Sequence, residues 1–478
     1  MNILMVSSEA VPFSKSGGLA DVLGSLSPAL AKKGEVVRVF MPMYSFIDRK
    51  GFRKGPRFTV PMLNGEVAVS TVSRKLDGVE YVGLEHPYFT ERSGIYGDTS
   101  FTPYADNAER FMLFAKAVPY YLKAAEWNCD IVHCHDWTAG LVPFYLKDCQ
   151  MKVHTVFTIH NLAYQGDFSR FDTVLGGDRI PEEVFSGPAG GRRLNMLKAG
   201  LELADKITTV SPTYAEEIQT ERYGCGLDWL LRERKEDLKG ILNGMDMHEW
   251  NPRSDKFFPE HYSVKDRSGK NELKARVQKE YGFKEDPNIP LFTMISRIAD
   301  QKGYGELLGG NHPVLEELLY QENFQLLVIG TGDKHYEEKL KEAEKRHDNL
   351  VVNIAFSSVT AHEAEGAADF FLMPSRYEPC GLNQMYSLHY GTLPVAHRTG
   401  GLADTIIDIT ANPSTGTGFL MEDLSSESIS DAVNRAIRYY KENREGMEKA
   451  ITRAMTVDLS WDKSAGEYIE LYNTLSKG

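Results

Sequence analysis

Phe370-Phe371-Leu372-Met373-Pro374-Ser375-Arg376-Tyr377-Glu378-Pro379-Cys380-Gly381-Leu382-Asn383-Gln384 reads as a strand, a loop and the start of a helix. Four apolar residues suit a strand buried on both faces, and Pro374 ends it. Gly381 lets the chain turn into the helical pattern that follows. The polar loop therefore sits at the carboxyl end of a strand, where open α/β sheets bind ligands. Backbone N–H groups at the helix start can receive phosphate oxygens. Glu378 can stabilise positive charge developing on a sugar carbon, or it can simply cap the helix.

The same alternation extends in both directions. Runs 291–295, 324–329 and 351–355 read as strands, with helices after Gly303, Asp333, Ser358 and Gly381. Toward the N-terminus, strands are expected at 2–6, 36–41, 131–133, 153–159 and 207–210. Helices are expected at 19–33, 105–125 and 196–203. Strand–helix alternation implies parallel sheets covered on both faces. A polar, Pro-containing stretch at 251–270 divides the pattern and reads as a linker. The expected organisation is an N-terminal Rossmann-like domain over 1–250 and a C-terminal one over 271–456, two doubly wound α/β bodies facing across a cleft. The final segment, 457–478, reads as an amphipathic helix.

The other strand ends carry their own chemistry. Lys15-Ser16-Gly17-Gly18 precedes the first helix, where Lys15 and glycine N–H groups can meet an anion; a tight turn with an exposed lysine is the plainer reading. His133-Cys134-His135-Asp136-Trp137 offers a metal pair if the strand continues, a sugar contact from Asp136, or a helix cap. His160 and Asn161 after the next strand suit hydroxyl recognition. Asn243 lies in a turn that can equally be structural. Arg297 and Lys302 flank a loop between strand and helix and can clamp a diphosphate, or be solvated surface charges.

Composition narrows the class. With a net charge of −13 over 478 residues, neither nucleic acid nor an anionic membrane is the expected partner. Five cysteines without a CxxC pair fit a reducing cytosol. The apolar N-terminus reads as a buried first strand and not as a signal peptide. A cytoplasmic location is expected, with a plastid possible only if a transit peptide has been removed.

In their order and spacing, KSGGLADV, HCHDW, TIHNLAYQG, TTVSPTYAEEI, YGCGLD, ILNGMD, SRIADQKG, SRYEPCGLNQMYSLHYGTLP and RTGGLADT resemble the bacterial glycogen synthase and plant starch synthase family nearly end to end. The resemblance implies a GT-B glycosyltransferase fold whose last helix crosses back to the N-terminal domain. It also implies retaining transfer from ADP-glucose to the 4-hydroxyl end of an α-1,4-glucan, with no cofactor and no metal. It assigns Glu378, His160, Arg297 and Lys302 to catalysis. Lys15, Gly17 and Gly18 match the N-terminal phosphate loop. Asp136, Asn161 and Asn243 match the sugar pocket, and Cys380, Gly381, Leu382 and Asn383 match the loop that contacts sugar and phosphate. Three positions depart from the family pattern. Phe356 stands where a tyrosine often stacks on the base, Asn383 replaces a threonine, and His397 replaces an arginine. A UDP-glucose-using transferase of the same fold and a silent glucan-binding protein are the competing readings.

Overall fold

The computed structural model describes residues 1–62, 65–100, 102–169, 185–186, 193–321, 323–355 and 357–476. Phe356 lies outside the described residues. The chain forms two compact units, one of Met1–Gly244 with Trp461–Gly478, the other of Met245–Ser460.

In the first unit, nine strands form one sheet: β1 (Asn2–Val6), β2 (Val36–Pro42), β3 (Arg53–Met62), β4 (Gly65–Leu76), β5 (Val79–Glu85), β6 (Ile131–His135), β7 (His154–Ile159), β11 (Lys206–Thr209) and β12 (Leu238–Gly240). Their spatial order is β12-β11-β7-β6-β1-β2-β5-β4-β3. Pairing is parallel from β12 to β5, and only the β5-β4-β3 edge is antiparallel. A separate three-stranded sheet combines β8 (Asp167–Ser169), β9 (Phe185–Ser186) and β10 (Arg193–Asn195). In the main sheet Ile3, Leu4, Met5 and Val6 are fully buried, as a central parallel strand requires. The chain order reverses at β1, which lies between β2 and β6, so the loops after β1 and β6 open at the topological switch point.

The second unit has a six-stranded parallel sheet of β13 (Leu291–Ile295), β14 (Gln325–Ile329), β15 (Leu350–Asn353), β16 (Phe370–Met373), β17 (Leu393–His397) and β18 (Phe419–Met421). The order is β15-β14-β13-β16-β17-β18, which puts its switch point between β13 and β16.

The boundaries differ from the sequence expectation in two respects. The first unit's N-terminal stretch ends at Gly244, not at 250. Segment 251–270, expected as a linker, is packed into the second unit: Phe258 and Tyr262 belong to its core, and the Tyr262 hydroxyl reaches Gly366 O and Tyr390 O at 3.0 and 2.9 Å. Its prolines and polar residues read as a loose connection, but its aromatic residues decide the outcome by burial.

The final helix, Trp461–Leu475, belongs to the first unit. It buries Trp461, Tyr468 and Tyr472. Ser464 Oγ donates to Leu242 O at 2.5 Å, and Lys33 pairs with Asp462 at 2.8 Å. Among the described residues, no helix is long and apolar enough to cross a membrane.

Candidate active site

Each unit carries a polar cluster at the carboxyl ends of its strands. In the first unit, the chain leaves β1 and passes Glu9 before reaching the helix Gly18–Lys32. Glu9 is buried, and its carboxylate accepts from the main-chain N–H of Ser16, from Ser16 Oγ at 2.9 Å, from the Gly17 N–H at 3.3 Å and from the Tyr96 hydroxyl at 2.9 Å. Burial raises the Glu9 pKa against the opposing pull of these bonds. The Ser16 and Gly17 amides are thus directed at the chain's own carboxylate, and Gly18 opens the helix. Lys15 lies outside this knot, paired with Asp21 at 2.7 Å and largely exposed.

Strand β6 runs through both histidines of HCHDW and ends at His135, two residues beyond the expected end. Their rings lie tilted against each other, 31° between planes, with centroids 4.2 Å apart. His133 Nδ1 meets the Tyr472 hydroxyl at 2.7 Å and its Nε2 meets Thr158 Oγ1 at 2.6 Å, so both nitrogens are engaged by side chains. Asp136 then turns the chain with φ 54°, a left-handed conformation uncommon outside glycine. Its Oδ1 accepts the main-chain N–H of His160, the first residue after β7, at 2.7 Å. His135 Nδ1 and His160 Nε2 lie 3.0 Å apart. Burial pushes Asp136 up to about 7 and holds His133 and His160 down at about 3, so the histidines are neutral at ordinary pH. Asn161 Oδ1 closes a local turn by accepting the Ala163 N–H at 3.1 Å. Asn243 is buried after β12, and its Oδ1 meets no donor among the described residues, which leaves an acceptor available to a ligand.

In the second unit, the loops after β13 and β16 are tied together. The Arg376 N–H donates to Gln301 O at 2.8 Å, Gln301 Nε2 donates to Tyr377 O at 3.2 Å, and Asn383 Nδ2 donates to Ile295 O at 2.8 Å. Gly303 permits the approach: its φ is +84°, and a Cβ there would stand 1.9 Å from Pro374 O. The result brings Lys302 Nζ to 2.6 Å from Glu378 Oε2, with Glu378 only 7% exposed. Arg297 is exposed on the rim, 3.4 Å from Gln301 Oε1. Cys380 is buried, while Gly381, Leu382 and Asn383 remain partly exposed ahead of the helix Asn383–Tyr390. That helix has no side-chain cap at its start. Its first N–H groups, beside Lys302 and Arg297, make an electropositive edge next to one buried carboxylate. Such an edge can stabilise a departing diphosphate, and the carboxylate can face the electron-poor carbon left behind.

Sequence reading therefore named residues that the structure gathers into two clusters. It missed Glu9, Tyr96 and Tyr472, and it read His135 only as half of a metal pair with His133. A lone carboxylate in the loop after the apolar first strand, following Ser7 and Ser8, was the available signal for Glu9. Nothing local marks Tyr96 or Tyr472, because their partners lie far along the chain.

Residues 2–233 match the family model of the starch synthase catalytic domain, and residues 274–453 match that of glycosyl transferases group 1. A glycogen synthase of Anaeromyxobacter sp. (strain Fw109-5) is 45% identical over 100% of both chains. One from Lactococcus lactis subsp. lactis (strain IL1403) is 38% identical over 99% of this chain and 100% of its own. The catalytic domain of starch synthase IV from Arabidopsis thaliana, bound to ADP and acarbose, matches with a TM-score of 0.87 at 28% identity, covering 99% of this chain and 98% of that one. A sucrose-phosphate synthase from Thermosynechococcus elongatus shares the fold, with a TM-score of 0.62 at 19% identity over 100% of this chain and 99% of its own.

Proposed function

The chain belongs to the glycogen and starch synthase family, and on that premise we propose that it transfers glucose from ADP-glucose, with retention at C1, to the non-reducing 4-hydroxyl of an α-1,4-glucan. The observation that carries this reading is the Lys302–Glu378 pair, 2.6 Å apart at the switch point of the second sheet.

As the bond from C1 to the diphosphate lengthens, its electrons leave with the phosphate oxygen. Lys302, Arg297 and the amides around Gly381–Asn383 hold that growing charge, which is an electrostatic role needing no proton transfer. Cys380 and Leu382 shape the same loop. Glu378 faces C1 as it becomes oxocarbenium-like. Its contact with Lys302 fixes the carboxylate before substrate arrives, so little reorganisation is needed during reaction. In the first unit, His160, Asn161, Asp136 and Asn243 offer donors and acceptors to sugar hydroxyls, and the largely exposed Lys15 offers a cation to an anionic ligand. The ADP and acarbose bound to the Arabidopsis relative support a nucleoside diphosphate and an α-glucan as ligand classes for this chain.

Initial rates with ADP-glucose and UDP-glucose, each with glycogen as acceptor, test the donor assignment. ADP-glucose should give a kcat/KM at least ~tenfold higher, the equivalent of about 1.4 kcal/mol of discrimination. A preference for UDP-glucose would overturn the donor assignment and leave the fold and the transfer chemistry in place.

A further inference from the structure

We infer that His135 fixes the ring proton of His160 on Nδ1, so that His160 presents a hydrogen-bond donor, not a base, to an oxygen of the bound glucosyl donor. The contact between His160 and substrate rests on the function proposed above; the proton assignment does not.

Two neutral imidazoles facing each other at 3.0 Å must divide the roles, one ring donating and the other accepting. If His160 Nε2 carried the proton, His135 would carry its own on Nε2. That nitrogen is buried and meets no partner among the described residues. An orphaned buried N–H is rarer in folded proteins than an under-satisfied acceptor. The proton of His135 therefore sits on Nδ1 and is donated to His160 Nε2. His160 is then left with its proton on Nδ1, on a side chain that is only half-buried.

The surroundings hold this arrangement. His135 is fully buried and packs against the tilted ring of His133, whose two nitrogens are fixed by the Tyr472 hydroxyl and Thr158 Oγ1. Thr158 Oγ1 is itself 2.5 Å from Thr208 Oγ1. The His160 main chain is anchored separately through its N–H to Asp136 Oδ1 at 2.7 Å, which fixes the point from which its ring reaches His135. Burial and the neighbouring histidines hold His135 well below its ordinary pKa, which keeps the donor–acceptor pair neutral. His135 touches no substrate in this scheme. It is a positioning residue, acting through the hydrogen bond that selects the tautomer of its neighbour.

Nitrogen NMR of the full-length protein labelled with ¹⁵N-histidine reads the proton directly. The His160 ring signals are identified by their loss in His160→Gln. At about pH 8, well above the range in which histidine titrates, His160 Nδ1 should be protonated and Nε2 bare. The opposite assignment would overturn the inference without any substitution at His135. His135→Asn keeps an amide donor near the Nδ1 position, and His135→Leu removes it. His135→Leu should show both His160 tautomers and lower kcat ~10–100-fold, while His135→Asn keeps one tautomer and stays within ~threefold of the unmodified enzyme. A His135→Leu enzyme with a single His160 tautomer and unchanged kcat would contradict the positioning role. If the unmodified chain released no ADP from ADP-glucose, the proposed function would fail instead, and the tautomer would still be read.

Discussion

Glu378 and Lys302 form a pair whose members do different work, and substitution should separate them. Glu378→Gln keeps a polar group beside Lys302 but removes the charge that faces C1. Turnover should fall ~10²–10³-fold, with ADP affinity kept within about tenfold. Lys302→Ala should weaken ADP binding as well, because it removes a charge-assisted contact to phosphate and leaves the buried Glu378 carboxylate without its partner. Isothermal titration with ADP beside steady-state rates distinguishes the two patterns. The histidines make a separate prediction. His133 and His160 are held at about 3 by burial, whereas an unfolded histidine titrates near ~6.5. The unfolded chain therefore binds protons that the folded chain refuses, and the stability these groups contribute above ~6.5 is lost as pH falls toward the folded values. Asp136 acts in the opposite sense. Its pKa is raised to about 7, so its contribution is present at low pH and lost as pH rises from ~3.9 to about 7. His135 acts with these histidines, while Glu9 and Glu365, also raised by burial, act with Asp136, so the histidine contribution is read as a difference: from roughly pH 6.5 to 4.5 the unmodified protein should lose more Tm than His160→Gln loses. His160→Gln should flatten that dependence; an unchanged slope would contradict the assignment.

Two loops of the second unit meet because Gly303 has no side chain. Gly303→Ala would impose left-handed strain of about 1–2 kcal/mol and force its Cβ against Pro374 O, 1.9 Å away in the present geometry. The Lys302 and Glu378 loops must then separate. kcat/KM should drop at least ~tenfold while Tm falls only a few degrees. By contrast, Gly466 sits inside the helix Trp461–Leu475 with open space around its Cβ position. Gly466→Ala should stabilise by ~0.5–1 kcal/mol in chemical denaturation. Elements also show what the sequence could reveal. The strands 291–295 and 370–373 and the helix at 196–203 were legible to the residue, because apolar runs bounded by turn residues have one packing solution in a parallel sheet. The β3-β4-β5 edge was not. β3 and β4 mix exposed Arg, Lys and Glu with apolar residues, as a half-solvated antiparallel edge allows. β17 carries Pro394, which argues against a central strand, yet it pairs with β16 and β18 on either side. At the site, Glu378 and Lys302 were legible through their strand ends. The partnership of Glu9 with Ser16, Gly17 and Tyr96 was not, because it joins residues up to 87 positions apart.

Across the molecule, the chain passes from the first unit to the second after Gly244 and returns after Ser460. The returning helix completes the first unit, since Tyr472 supports His133 and Trp461, Tyr468 and Leu471 are buried with it. Each large side chain of that kind contributes about 1.5–3 kcal/mol on burial. Removing residues 461–478 should lower the thermal transition of the first unit and expose it to proteolysis, and a synthetic peptide of that sequence should restore part of the loss. The central claim concerns chemistry, and one measurement addresses it most directly. ADP release from ADP-glucose should require glycogen, should proceed with growth of the glucan by single glucose units, and should fall ~10²–10³-fold in Glu378→Gln protein that retains its fold. A chain that binds glycogen but releases no ADP, or a folded Glu378→Gln variant with undiminished turnover, would contradict the account.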